Sequence, residues 1–552
     1  MNFFNIIILT VLLFGCILLD AAESSLFDIQ SFIDSEIQAG KKRIIIPPGR
    51  YKVKPKNRQH LVLKNLKDIE IIANGVEMIC LETTRAITIT RCTNLTIIGL
   101  VIDYDPLPFT QGKITGFSPD KKIHYIELFD GYPTAETVRN FKYEIFRPDT
   151  RTLRCDDRYP EKIEVIDPRH IAVHIPSAKI TDPEQTGDFI VIGSEYAPGG
   201  SIPHAVECND SSNIRLEDIV LYASNCFGFL ENNCDGNIYY RCKIDRRPAD
   251  TDIVKRTEPR LRSLNADAYH SKHAVKGPSY IECSARYMGD DAINICGDYH
   301  LITESYRNKL RILAKHNMNI QPGDLVELVS YDGTRLPDAK ALSVEPDGSI
   351  KEDELSFLKK QRMNENLKNA RGALTKAYII TLDREVNLPR GSVICSQNRV
   401  GNGFAVKNCN FGFNRSRGIL IKASNGEITG NKLEGNRMSA ILVAPEYWWL
   451  EAGSACNLKI SGNTIVDCSG IPICIEAIAG NENIAPAGIH KNIEITDNYI
   501  ARSYAPAIVV CSTIGVNIKN NKFDLMNPAK LPGLLVKAGI KESKDVVLIN
   551  CQ

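Results

Sequence analysis

The sequence predicts an all-β chain wound into a right-handed parallel β-helix that carries two inserted small β-rich domains, and three observations support this. A six-residue pattern recurs in the C-terminal third: Ile428-Thr-Gly-Asn431-Lys-Leu433, Ile460-Ser-Gly-Asn463-Thr-Ile465, Ile495-Thr-Asp-Asn498-Tyr-Ile500 and Ile518-Lys-Asn-Asn521-Lys-Phe523. β-Branched runs at Ile441, Ile473 and Ile508 follow three of these repeats at a constant offset of 13 residues. No helix-length amphipathic stretch separates the strands, which sets aside a leucine-rich or helical array. Short apolar strands at coil spacing, without helices between them, stack as a parallel solenoid.

Earlier segments fill the same slots. Val406, Cys409 and Phe411 match the repeat, as do Tyr280, Cys283 and Ala285, and before them Tyr239, Cys242 and Ile244. Cysteine and asparagine therefore share one ladder position. The shortest steps, 22 residues from Val406 to Ile428 and 23 from Ile495 to Ile518, are the length of one coil. Near the start, 27–38 reads as a short amphipathic helix that would cover the open end of the solenoid and block edge pairing. The cap and first coils would occupy 23–106, the middle coils 206–299 and the last coils 401–552. Two stretches, 107–205 and 300–400, break the rhythm with alternating strand-like runs and turn signals such as Gln321-Pro-Gly-Asp324, and 351–372 is charged and helix-prone. Insertions in a solenoid gather on one face and wall a binding site.

At 552 residues, the chain is long enough for a self-sufficient core. Lys+Arg of 67 against Asp+Glu of 66 gives no bulk attraction for a nucleic acid, so a neutral partner such as an oligosaccharide or polysaccharide fits better. The apolar run over 3–19, with Ala21 and Ala22 behind it, reads as an export signal over 1–22. Leu13-Phe14-Gly15-Cys16 offers lipid anchoring as the alternative to a cleaved secretory signal. No later stretch has the length of a membrane span. Besides Cys16 there are sixteen cysteines, none in the close pairs of a zinc or redox centre, and they are expected to be mostly buried, unpaired thiols. No metal or other cofactor is expected, and the sequence leaves the oligomeric state open.

The chemistry concentrates around three aspartates. Asn265-Ala-Asp-Ala-Tyr-His270 aligns with Gly289-Asp-Asp-Ala-Ile-Asn294, which places Asp267 opposite Asp291 at a separation of 24 residues, one coil. Adjacent parallel strands lie about 4.8 Å apart, so Asp267, Asp290 and Asp291 converge from two turns. Consecutive residues of a regular strand face opposite ways, so Asp290 and Asp291 share a site only if the doublet lies in a turn or at a strand start. Clustered carboxylates raise one another's pKa, and acetal cleavage needs one protonated and one ionised acid. A doublet after glycine is by itself an ordinary solvated turn; the third aspartate one coil away turns the reading toward catalysis. Candidate substrate contacts are His270, Lys272, Asn294, Arg415, Arg417, Glu446, Trp448, Trp449 and Glu451. Each has a plain structural alternative: a ladder hydrogen bond for His270, packing against an insertion for the tryptophans, solvation or charge balance for the arginines.

Ile44-Ile-Ile-Pro-Pro-Gly-Arg-Tyr51 resembles the first strand of pectin-lyase-like β-helix enzymes. Further motifs are Val101-Ile-Asp-Tyr-Asp-Pro106, Pro108-Phe-Thr-Gln-Gly112, Ala266-Asp-Ala-Tyr-His270, Asp290-Asp-Ala-Ile-Asn294 with Gly297, and Trp449-Leu-Glu-Ala-Gly453. Together they resemble glycoside hydrolase family 110, the β-helix exo-α-galactosidases that invert configuration and remove terminal α-1,3-linked galactose. That resemblance implies an exported glycosidase with two inserted barrel-like domains and with Asp267, Asp290 and Asp291 as catalytic carboxylates. Asp267 is taken as acid, with the doublet positioning water. The alternatives are another β-helix glycosidase of galactan or polygalacturonase type, a polysaccharide lyase using Lys272 and calcium, and a glycan-binding β-helix without turnover.

Overall fold

The computed structural model describes residues 27–154, 159–176, 183–194, 203–368 and 372–552. The segment read as an export signal lies outside them. Among the described residues no helix is long and apolar enough to cross a membrane.

The chain is a parallel β-helix, and its register follows the repeat. One line of residues runs from coil to coil through Ile44, Ile71, Ile97, Leu216, Tyr239, Tyr280, Val406, Ile428, Ile460, Ile495 and Ile518, each paired in parallel with the next. All but Ile518 are buried, and each isoleucine so removed from water contributes roughly 1.5–3 kcal/mol. A second sheet stacks Phe229, Tyr269, Ile293, Ile419, Ile441, Ile473, Ile508 and Val546. This is the strand at offset 13. Inside the helix the rings of Phe229 and Tyr269 stack at 5.1 Å, and those of Tyr239 and Tyr280 at 4.9 Å.

The shared cysteine and asparagine position has a hydrogen-bond explanation. Asn431 Nδ2 donates to Asn463 Oδ1, Asn463 Nδ2 to Asn498 Oδ1, and Asn498 Nδ2 to Asn521 Oδ1, each at 2.9 Å. The same amides reach back to the carbonyls of Val406, Ile428 and Ile460. In the earlier coils the thiols of Cys242, Cys283 and Cys409 donate to the equivalent carbonyls of Leu216, Tyr239 and Tyr280. The fifteen described cysteines are free thiols, and all but Cys456 and Cys551 are buried.

The helix Ile29–Gln38 closes the first coil. Asp28 caps it by accepting from Ser31 N at 3.1 Å, and Ile29 and Ile33 are buried. Gln30 pairs with the exposed edge of strand Gln59–Lys64: its Nε2 donates to Val62 O and its Oε1 accepts from Val62 N. One side chain thus satisfies backbone groups at the edge that would otherwise template another strand.

Two antiparallel units leave the solenoid. The first is a six-stranded sheet running from Phe109–Phe117 to Phe189–Ser194 and including Val138–Phe146. The second is a closed six-stranded barrel from His300–Tyr306 to Val393–Ser396. The charged stretch at 351–372 is helical only over Glu352–Lys359 and Glu365–Lys368, shorter than expected; 369–371 fall outside the described residues.

Candidate active site

Asp267 precedes strand Tyr269–Lys272, and the Asp290–Asp291 doublet precedes Ile293–Asp298. Tyr269 pairs with Ile293, and Ala268 N donates to Asp291 O at 2.9 Å, so the aspartates sit one coil apart. The doublet lies in the turn rather than in the strand, which frees both side chains to face Asp267. Gly289 is required there: a Cβ would stand 2.8 Å from Asn265 O. One oxygen from each of Asp267, Asp290 and Asp291 lies within 4.8 Å of the others.

Cations flank the three acids. Lys142 Nζ, from the first inserted sheet, bonds Asp290 Oδ2 at 2.9 Å. Arg417 donates its backbone N to Asp291 Oδ1 at 2.8 Å and holds its Nε 3.3 Å from the same oxygen. Arg415 Nη1 donates to Gly289 O at 3.2 Å, and its guanidinium also contacts Tyr159. Lys142 and Arg417 thus already set positive charge against two of the three carboxylates.

The acids differ in protonation. Burial, followed by the charge of Asp290, pushes Asp267 well above the usual carboxylate range. Burial also lifts Asp291 to about 8, with Arg417 working against it and Asp267 and Asp290 adding to it. Burial disfavours ionisation of Asp290 too, but Lys142, Arg415 and Arg417 together hold it down at about 2. His270 Nδ1 lies 2.7 Å from Asp267 Oδ2, and burial lowers the imidazole to about 3, so the ring is neutral. It stacks on Phe227 at 4.4 Å, which stacks in turn on His204 at 4.7 Å.

Beside the triad lies a buried ionic network. Lys422, fully buried, places Nζ 2.9 Å from Glu446 Oε2 and 3.0 Å from Glu451 Oε2, and donates to Asn294 Oδ1 at 3.2 Å. Lys272 Nζ faces Glu451 Oε1 at 3.8 Å. Burial disfavours the Glu451 charge, but Lys422, Lys272 and Lys315 hold its carboxyl well below the ordinary range. Antiparallel pairing of Glu451 and Ala452 with Asp298 and Gly297 brings this glutamate in. His270, Cys296 and Glu451 also approach closely enough for a metal, yet the ammonium groups of Lys272 and Lys422 already neutralise the only carboxylate among them.

Glu446 joins this network to open space. Arg417 Nη2 reaches Glu446 Oε1 at 3.3 Å, and Glu446 lines a cavity of about 350 Å³ with Tyr447, Trp448, Glu476, Arg362 and Lys537. Burial, then the neighbouring Glu446, raises Glu476 to about 7. Trp448 is 43% exposed and forms part of the cavity wall; Trp449 is 42% exposed and is not among the lining residues. The predicted residues therefore divide. Asp267, Asp290, Asp291, His270, Arg415 and Arg417 form or border the triad, Lys272, Asn294 and Glu451 meet around Lys422, and Glu446 and Trp448 face the cavity.

Sequence reading missed Lys142, Lys422 and Glu476. Lys142 is 148 residues from its partner and carries no spacing signal. Lys422 had one, since a lysine closing the apolar run Ile419-Leu-Ile cannot be buried without anionic partners.

Curated relatives agree with the resemblance. Alpha-1,3-galactosidase B of Bacteroides thetaiotaomicron is 24% identical over 95% of this chain and 87% of its own length. Alpha-1,3-galactosidase A of Bacteroides fragilis is 22% identical over 90% of this chain and 84% of its own. The chain is a glycoside hydrolase homologous to alpha-1,3-galactosidases. No protein-family model matches it. Among solved structures, the endo-xylogalacturonan hydrolase of Aspergillus tubingensis matches with a TM-score of 0.41 and 9% identity, covering 92% of this chain and 91% of that one. The family 28 exopolygalacturonase of Yersinia enterocolitica has a TM-score of 0.41 and 11% identity, over 92% and 70%.

Proposed function

We propose that this glycoside hydrolase removes terminal α-1,3-linked galactose from glycans, with Asp267 protonating the glycosidic oxygen and the Asp290–Asp291 doublet holding the attacking water. The observation that carries the reading is the set of three carboxylates in one turn-to-turn cluster, two tending to keep a proton and one ionised. Acetal cleavage needs a proton donor and an ionised group in the same site. Exo action is supported by the cavity beyond Glu446, which Trp448, Glu476 and Lys537 help to line and whose roughly 350 Å³ is at the low end for a ligand pocket.

Inversion rests on the family resemblance. The oxygens approach within 4.8 Å, closer than the roughly 6.5–9.5 Å between the carboxyl groups of a two-acid inverting site. In this reading the two groups of the doublet share one water, an arrangement that the spacing of a two-acid site does not describe. Export fits both the apolar segment at 3–19 and a glycan substrate.

Specificity is tested with galactosyl-α-1,3-, α-1,4- and α-1,6-galactose presented in parallel. Preferential release of galactose from the α-1,3 isomer supports the reading. Equal rates on all three, or cleavage of internal bonds in a longer oligomer, contradict it.

A further inference from the structure

We propose that Lys142 of the first inserted sheet is a positioning residue that fixes the Asp290 carboxylate in its reacting place, so that this insertion is part of the reaction machinery. The inference rests on the reading of Asp290 as a reacting carboxylate. Lys142 Nζ bonds Asp290 Oδ2 at 2.9 Å and reaches toward Gly289 O at 3.5 Å, so it grips the turn from both its side chain and its backbone.

The lysine is itself held. Its strand, Val138–Phe146, pairs with Phe189–Ser194 on the insertion side. On the solenoid side, fully buried Arg262 donates to Lys142 O at 3.4 Å, to Glu144 Oε2 at 2.9 Å and to Asn265 Oδ1 at 2.9 Å. Asn265 lies two residues before Asp267, so one arginine ties the strand that carries Lys142 to the coil that carries an acid. A surface lysine that merely balanced charge would have no such tether.

Among the described residues, charged groups face Asp290 from four directions. Lys142 faces it from the insertion, Asp267 from the preceding coil, Asp291 along its own turn, and Arg415 and Arg417 from the following coil. Burial disfavours its ionisation, and Lys142 is the foremost of the cations that oppose this. Burial also disfavours the ammonium, yet Asp290 keeps Lys142 protonated to higher pH than usual. Removing Lys142 therefore moves the Asp290 titration upward.

The test compares Lys142→Met, Lys142→Arg and the wild type on an α-1,3-galactoside from pH 2 to 9, so that the wild-type limb set by Asp290 at about 2 falls within reach. The acid limb of kcat should rise by about one pH unit or more in Lys142→Met, which is about a tenfold loss of activity below the limb, with KM little changed; Lys142→Arg should restore the wild-type limb. An equal loss at every pH, or an unmoved limb, overturns the proposal. If the wild type itself releases no galactose, the galactosidase reading fails separately. Lys142 is then judged by melting temperatures of Lys142→Met, Asp290→Asn and the double variant. Coupled effects support the contact, and additive effects overturn it.

Discussion

Asp267 and Asp291 face each other across one β-helix coil, linked through their backbones by the hydrogen bond from Ala268 N to Asp291 O. The ladder that stacks the core thus also sets the spacing of the acids.

Stability should carry the imprint of that crowding. Asp291 releases its proton near 3.8 when unfolded and at about 8 when folded. Across that window the folded state binds the extra proton, so this residue's contribution to stability is fully present below about 4 and is lost as pH rises toward about 8. Asp291→Asn removes this titration. Its melting temperature should gain on the wild type between about pH 4 and 8 and level off above; a pH-independent difference contradicts the assignment.

Lys422, fully buried, bridges two carboxylates. Lys422→Met should cost about 3–5 kcal/mol, because it removes the nearest cation from buried Glu451 and half-buried Glu446 and leaves them only the longer contacts to Lys272 and Arg417. Urea denaturation measures the loss, and adding Glu446→Gln and Glu451→Gln should recover part of it. A loss below about 1 kcal/mol would place the lysine in contact with water.

Along the asparagine ladder, Asn463 donates to Ile428 O and Asn498 Oδ1 and accepts from Asn431 N and Nδ2. Asn463→Ala leaves several buried groups unpaired and should destabilise by at least about 2 kcal/mol in the same measurement. A neutral result would mean that water replaces the amide.

These elements show how much the sequence disclosed. The line from Tyr239 through Ile518 was legible because a large apolar residue recurs with a cysteine or asparagine three positions after it. The Asp267–Asp291 relation followed because two strand starts share an Ala-aromatic or Ala-isoleucine step. Lys142 was not legible, since an antiparallel insertion places residues by its own pairing and its contact with Asp290 spans 148 positions. Glu451 was noticed only within its tryptophan motif; its antiparallel pairing with the strand after the doublet has no periodic trace.

Binding should separate the two tryptophans. Trp448 lines the cavity and Trp449 does not. Trp448→Ala should raise KM about 2- to 10-fold, the worth of one aromatic face, with kcat nearly unchanged. Trp449→Ala should leave both constants near wild type. Equal effects would place the sugar outside this cavity.

The most direct test follows the anomer of galactose released from an α-1,3-galactosyl oligosaccharide by NMR, comparing the wild type with Asp291→Asn. The account predicts β-galactose as the first product, and a variant that folds as the wild type does but turns over about 10²–10⁴-fold more slowly. α-Galactose as the first product would contradict inversion, and a variant as active as the wild type would remove Asp291 from the chemistry.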